Sequence, residues 1–394
     1  MTSQTLDSTI IEEEPFETKN VLTIVSGHFV HDTYAAFLPM LLAELQTRLS
    51  LSLTLVGFLT MLSQLPAMLN PFIGYLADKI SVRYFVIFAP AVTATVISLL
   101  GNAPNQSAII LLLLVMGLSS ASFHAPAPAM IARISGKNVG RGMSFFMAGG
   151  ELGRTLGPLI VVAAIGMWGF DGIYRLMVIG WGASLLLFWR LHSVSSKSAQ
   201  QKTDNPGQAL PRYMAFFLPL AWILIPRAFL ATSITRFLPI LMKGEGSSLA
   251  FAGISLSILE GAGVVGALVS GPISDRLGRK PALIASMVGA TALTIVFLLV
   301  KGWLLIPVLI LLGFVSLSSQ PILLALVQDH HPLNRATANG LFMFLSFLGM
   351  SLSSLLVGMA GDAWGLRTTF FVSALIALAA IPAILALPNL PETD

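Results

Sequence analysis

The chain has 394 residues, of which 55% are hydrophobic and only 10% charged, and its mean hydropathy is +0.84. A water-soluble globule of this length needs more polar side chains to clothe its surface, so the composition excludes a soluble domain and specifies an integral membrane protein. The net charge of +4 does not indicate nucleic acid, because the basic residues stand singly in turns between apolar runs; the lack of cysteine rules out disulfides and thiolate metal sites.

Residues 1–18 carry Asp7, Glu12, Glu13, Glu14 and Glu17 without a Lys or Arg, and read as a solvated tail rather than a secretory signal. A bilayer core of about 30 Å asks for about 20 helical residues. Apolar segments of that size follow at 21–46, 52–77, 84–101, 107–132, 141–167, 172–191, 213–242, 249–274, 281–300, 303–327, 336–360 and 367–388. The expected fold is therefore all-α and integral to the membrane, with twelve transmembrane helices in two sets of six. An N-terminal bundle would cover 19–191 and a C-terminal bundle 213–394, joined by a polar linker at 192–212 with no apolar period to bury. Of the 22 Lys and Arg residues, fourteen fall in connections on the side of the two termini, five on the other side, and three inside apolar segments. Basic residues are retained in the cytoplasm, so both termini and the linker are expected there.

In span 1, His28 and Asp32 are four residues apart and share a helical face. Asp32 lies about 16 Å into the span, near the bilayer middle. A charge there costs at least ~2.5 kcal/mol and marks an ion or substrate path, or else a packing partner for a buried cation. His31 is expected to point elsewhere, as a polar residue on the helix surface. Span 4 contains Phe123-His124-Ala125-Pro126-Ala127-Pro128, whose prolines interrupt the helix beside His124. A hydrogen-bonded structural histidine and a titrating or substrate-binding one are both open there. Span 5 carries Gly149, Gly150, Gly153 and Gly157-Pro158, a small-residue face for close helix contact, with Glu151 and Arg154 one turn apart. That pair reads either as a self-neutralising ion pair or as a proton-coupled pair in a cavity. Span 7 holds Arg227 beside Pro226, then Arg236, and span 8 holds Glu260. Six intramembrane charges cannot face lipid; they must face one another or a water-filled cavity.

The turn at 271–280 is the densest polar stretch between apolar runs, with Gly271, Asp275, Arg276, Gly278, Arg279 and Lys280. Gly74, Asp78 and Lys79 repeat Gly271, Asp275 and Arg276 at a distance of 197 residues, half the chain's length. Phe37-Leu38-Pro39 and Phe237-Leu238-Pro239, and Trp168-Gly169 and Trp364-Gly365, echo at similar spacing. The chain thus reads as a duplicated unit. The aspartates can make charge-assisted bonds that close one state of a gate, or can serve only as topological charges.

Twelve spans in a six-plus-six duplication, with Gly-x-x-x-Asp-Arg-x-Gly-Arg-Lys between spans 8 and 9 and a weaker copy between spans 2 and 3, resemble the major facilitator superfamily of secondary transporters. The resemblance covers nearly the whole chain. Gly27-His28-Phe29-Val30-His31-Asp32 through Phe37-Leu38-Pro39, Ser122-Phe123-His124, and Gly149-Gly150-Glu151-Leu152-Gly153 through Gly157-Pro158-Leu159 are similar to the fosmidomycin-resistance group of efflux proteins. Gly153-x-x-x-Gly157-Pro158 partly resembles a proton-antiporter signature. The resemblance implies two pseudo-symmetric bundles around a midplane cavity, in the cell inner membrane, moving a small molecule by alternating access. The expected partners are that substrate, protons and the lipid bilayer, with no nucleic acid, cofactor or metal and a monomeric state. Asp32, His28, Glu151 and Glu260 are the proton-coupling candidates. Arg227, His124, Arg154 and Arg236 are the substrate-binding ones, and Gly74, Asp78, Gly271, Asp275, Arg276, Gly278 and Arg279 the gating set. No phosphate-binding loop, zinc-protease motif or nucleophile elbow is present, so an enzyme is not expected. Proton-driven export of a small anionic compound is the expectation; ion-coupled uptake of an organic anion, or a non-transporting receptor on the same fold, are the alternatives.

Overall fold

A computed structural model describes residues 16–70, 72–73, 76, 80–194, 206–330 and 335–387, and every regular element among them is helical. The first half comprises α1 (Thr18–Ala35), α2 (Leu38–Arg48), α3 (Leu53–Gln64), α4 (Arg83–Ser98), α5 (Gln106–His124), α6 (Ala127–Ile134), α7 (Val139–Trp168) and α8 (Met177–Leu191). The second comprises α9 (Pro206–Thr232), α10 (Leu238–Gly244), α11 (Leu249–Leu277), α12 (Arg279–Leu299), α13 (Leu305–Leu317), α14 (Ser319–His330), α15 (Arg335–Trp364), α16 (Leu366–Leu378) and α17 (Ala380–Ala386). Ten helical stretches among the described residues, from Arg83–Asn102 to Leu366–Ala386, are long and apolar enough to cross a membrane. The segment expected at 21–46 is instead divided between α1 and α2, and the one at 52–77 begins as the shorter apolar helix Leu53–Leu69. The helix that carries the seventh span begins at Pro206, ahead of the apolar stretch Phe216–Gly244, because a proline lacking an N–H suits the first turn of a helix.

The duplication is visible in how corresponding helices break and stop. The first span breaks at Ala36 and Phe37 before Leu38-Pro39, and the seventh passes through a π-helical turn, Ser233–Phe237, before Leu238-Pro239. Each proline sits in the first turn of the following helix, where no backbone donor is needed. Ser52 and Ser248 cap spans 2 and 8 identically, each side chain accepting from the N–H three residues on. Gly169 and Gly365 leave α7 and α15 with φ of +73° and +79°, a conformation that a Cβ disfavours.

Packing gives the two ends of the molecule different characters. At the end carrying the α2–α3 and α10–α11 turns, one apolar core runs through both halves, including Leu38, Leu41, Leu51, Leu238, Leu241 and Phe370. At the opposite end the cores are separate. One joins Val21, Phe123, Ile134 and Leu191 of the first half, the other Leu220, Leu283, Val327 and Leu387 of the second. Hydrogen bonds between described residues of the two halves follow the same division: Lys243 Nζ donates to Glu44 Oε2 at 2.8 Å, and the Leu53 and Thr54 N–H groups donate to the Asp362 carboxylate at 2.8 and 2.7 Å. Gln64 Nε2 reaches Ser354 Oγ at 3.3 Å farther in. Among the described residues the halves share one apolar core at the first end and keep two separate cores at the other.

Candidate functional site

Asp32 is buried in the middle of span 1 and ringed by three histidines. His28 Nε2 lies 3.3 Å from Oδ2, while His31 Nδ1 and His124 Nε2 lie 3.1 and 3.3 Å from Oδ1. His28 Nδ1 bonds the Phe146 carbonyl of α7 at 2.8 Å, and its ring stacks on Phe146 at 4.0 Å. His31 is fully buried and stacks on Phe123, which corrects its expected place on the helix surface. Its position is about 60° around the helix from His28, near enough for both to share one carboxylate. His124 arrives from span 4 because α5 ends there, at the interruption expected from Pro126 and Pro128. Its side chain keeps 32% of its surface exposed, so among the described residues His124 is the most accessible member of the cluster. The glycines of span 5 allow this convergence: a Cβ at Gly153 would lie 2.9 Å from the Thr33 N–H nitrogen, and one at Gly157 2.7 Å from the Thr33 carbonyl.

In the second half, Arg227 is buried and its Nε donates to Ser319 Oγ at 2.6 Å. Among the described residues no carboxylate lies within ion-pair distance of it. Ser319 opens α14 at the break in span 10 and in turn bonds the Ser316 carbonyl at 3.0 Å. Neither Ser319 nor the Phe146 carbonyl was singled out from sequence. A serine carries no charge to mark it, and a carbonyl has no side-chain signal at all.

The remaining intramembrane charges gather where spans 5 and 8 cross. Glu151 and Arg154 of α7 form the ion pair their spacing suggests. Glu260 of α11 is in electrostatic reach of Arg154 and of Arg236, so the group spans both halves. Arg236 lies in the π-helical turn, with its Nε buried and unbonded among the described residues. The candidates thus fall into three groups: the Asp32 cluster, Arg227 with Ser319, and the Glu151–Arg154–Glu260–Arg236 group between the halves, whose Arg154 is also in electrostatic reach of Asp32.

Residues 24–354 match the Major Facilitator Superfamily. The chain belongs to that superfamily of membrane transporters. It is 25% identical to the fosmidomycin resistance protein of Escherichia coli (strain K12) over 364 residues, covering 89% of this chain and 88% of that protein. It is also 25% identical to the uncharacterized MFS-type transporter YfnC of Bacillus subtilis (strain 168), covering 97% of this chain and 95% of the relative. Among solved structures, a bacterial homolog of the human lysosomal transporter Spinster superposes with a TM-score of 0.76 at 15% identity, covering 95% and 96% of the two chains. The nucleoside transporter NupG superposes with a TM-score of 0.73 at 17% identity, covering 93% of this chain and 98% of that one. A Major Facilitator protein spans the bilayer many times and carries a small molecule through it; its fold is not that of an enzyme.

In this transporter the turn after span 8 is built around Arg279. It meets Asp275 Oδ1 at 2.5 Å, Asp329 Oδ2 at 3.0 Å and Ser274 Oγ at 2.5 Å. Gly278 has a φ of +90° between α11 and α12, and Arg276 is exposed. All of these bonds lie within the second half, and Asp329 is a partner that sequence did not indicate. Gly271 borders the same turn in α11, while Gly74 and Asp78 lie outside the described residues.

Proposed function

We propose that the protein is a proton-coupled exporter of a small anionic organic compound, fosmidomycin-like in character, acting by alternating access in the cell inner membrane with both termini cytoplasmic. One observation carries this reading: the first half holds a buried acid ringed by histidines, and the second holds a buried arginine with no carboxylate among the described residues within ion-pair distance. A guanidinium desolvated beside a lone hydroxyl gains most from an anion that supplies the missing acceptors. A carboxylate whose surroundings switch between two sides of the membrane can load and release a proton. The basic residues assign the end with two separate cores to the cytoplasm, where an inward-facing conformer would take substrate from the cell. Periplasmic protons would reach Asp32 and His124 after the cavity turns outward, and the charge group between spans 5 and 8 would rearrange as the halves rock. The relative from Escherichia coli named for fosmidomycin resistance supports efflux as the direction.

The test is substrate flux in oriented membrane vesicles with an imposed pH gradient and a panel of anionic antibiotics and metabolites. Export of an anion that runs with inward proton movement, and collapses with the gradient, is the expected result. Anion accumulation in the opposite sense would favour coupled uptake, and gradient-independent flux across the whole panel would remove proton coupling.

A further inference from the structure

The Asp32 cluster has a property that a transport role for a single carboxylate does not require. A carbonyl oxygen only accepts, so the bond from His28 to Phe146 fixes the proton on Nδ1. In the neutral ring, Nε2 then presents a bare lone pair to Asp32 Oδ2 at 3.3 Å. Two acceptors at that distance repel unless a positive centre, either a second ring proton or a metal ion, lies between them. His124 Nε2 converges on the same carboxylate, and one ligand atom from each of His28, Asp32 and His124 lies within 4.8 Å of the others. We propose that His28, Asp32 and His124 bind a divalent transition-metal ion of the zinc class, through the two imidazole Nε2 atoms and the carboxylate.

Three features fit the ion. Ligands bound to tetrahedral zinc at about 2.0–2.1 Å stand about 3.3–3.4 Å apart; His28 Nε2 lies 3.3 Å from Asp32 Oδ2 and His124 Nε2 3.3 Å from Oδ1, so the two imidazoles approach the two carboxylate oxygens at that spacing. Two imidazoles with one carboxylate suit zinc, cobalt or nickel, whereas magnesium and calcium prefer oxygen throughout. The His28–Phe146 bond is the outer contact that orients a metal-binding imidazole, and His31 Nδ1 holds the carboxylate at Oδ1, the oxygen that His124 also approaches. Space at the site depends on Gly150, where a Cβ would lie 2.6 Å from His28 Nε2 and 3.0 Å from Asp32 Oδ2. Three protein ligands leave a coordination position, and the exposed side of His124 gives access to it. The site was not legible in sequence, since the ligands come from spans 1 and 4 and form no zinc motif. The inference goes beyond the transport reading and does not depend on it.

The experiment is cobalt titration of the purified full-length protein, read by the visible absorption of four-coordinate Co2+ and by equilibrium dialysis, with displacement by zinc. The expected result is one ion per chain, bound at least about tenfold more weakly in His124→Gln and Asp32→Asn, and unchanged in His192→Gln. His124→Gln is the decisive variant, because that side chain is partly exposed and the fold does not rest on it. Gly150→Ala keeps all three ligands and should also weaken binding by filling the site. No absorption band in excess cobalt, or a band retained in both His124→Gln and Asp32→Asn, overturns the proposal. Proton-driven export measured in the same preparation separates the two ideas: export without metal binding removes only the metal site.

Discussion

The two halves share a scaffold and differ in what they bury. Aligned on Phe37 and Phe237, Asp32 answers Thr232 and Gly27 answers Arg227; aligned on Pro126 and Pro321, His124 answers Ser319. In both halves the first span of the bundle is tied to the fourth at its proline-associated break, by Asp32–His124 in one and by Arg227–Ser319 in the other. The backbone devices were kept, because a misplaced break or cap leaves polar groups unbonded in a bilayer. The side chains at the tie were free to diverge, provided each buried charge found a partner or a ligand. Duplication therefore supplies the same pair of facing spans in each half, with the first-span charge placed five residues apart in register, and their difference in sign is what would let one half handle a cation and the other an anion.

The largest effect should come from erasing the acid. Asp32→Asn is expected to abolish gradient-driven transport while leaving some substrate binding, measured by flux in vesicles and by equilibrium binding on the same preparation. Full gradient-driven transport in that variant would pass the proton to Glu151 or Glu260 and make Asp32 a structural partner. Next comes the cation. Arg227→Ala should weaken substrate binding by about ten- to a hundredfold, the equivalent of about 1.5–3 kcal/mol for a lost charged hydrogen bond. Ser319→Ala, which leaves the guanidinium in place, should cost less. Equal substrate affinity in wild type and Arg227→Ala would break the assignment of opposite roles to the halves.

How far these sites could be read from sequence follows from what marks a residue. Intramembrane charges announce themselves by cost, so Asp32, Arg227 and Glu260 stood out, and prolines and glycines marked the breaks near Pro39, Pro126 and Pro239. Partner choice was not legible in the same way. His31 was misplaced because periodicity gives a direction around one helix but not which neighbour covers it. Ser319 and Asp362 went unnoticed because a serine in an apolar run and an acid near a helix end are both common. Their significance comes only from the Arg227 guanidinium and the Leu53 and Thr54 N–H groups that tertiary packing brings to them.

Asp362 offers the third and milder prediction. Its carboxylate caps the start of α3 from the other half, satisfying two helix N–H groups and favouring the closed end. Removing a cap of this kind costs about 0.5–2 kcal/mol, so Asp362→Ala should raise the fraction open at that end by about two- to thirtyfold. The cysteine-free chain lets label pairs introduced as Thr47→Cys and Ser247→Cys report the opening directly. An unchanged label distance distribution would mean that the merged apolar core alone holds that end shut.

The smallest effect is expected at the turn after span 8, and its size follows from exposure. Asp275 keeps 61% of its side chain in solvent, whereas Arg279 keeps 18%. An ion pair with so exposed a partner is worth about 0.2–1 kcal/mol. Arg279 also holds Asp329 and Ser274, so losing Asp275 leaves it anchored by two bonds. Asp275→Asn should accordingly slow turnover by about two- to fivefold with substrate affinity unchanged, since the bond stabilises a conformer and does not touch the substrate. Asp275→Asn combined with Asp329→Asn should exceed the product of the single effects, because only then does the guanidinium lose both carboxylates. The comparison between halves is sharpened by making Asp78→Asn in parallel. Equal slowing by Asp78→Asn and Asp275→Asn would make the two turns a symmetric gate, and slowing by Asp275→Asn alone would place the gate in the second half. Normal turnover in both well-expressed variants would leave these aspartates as charges that set topology and nothing more.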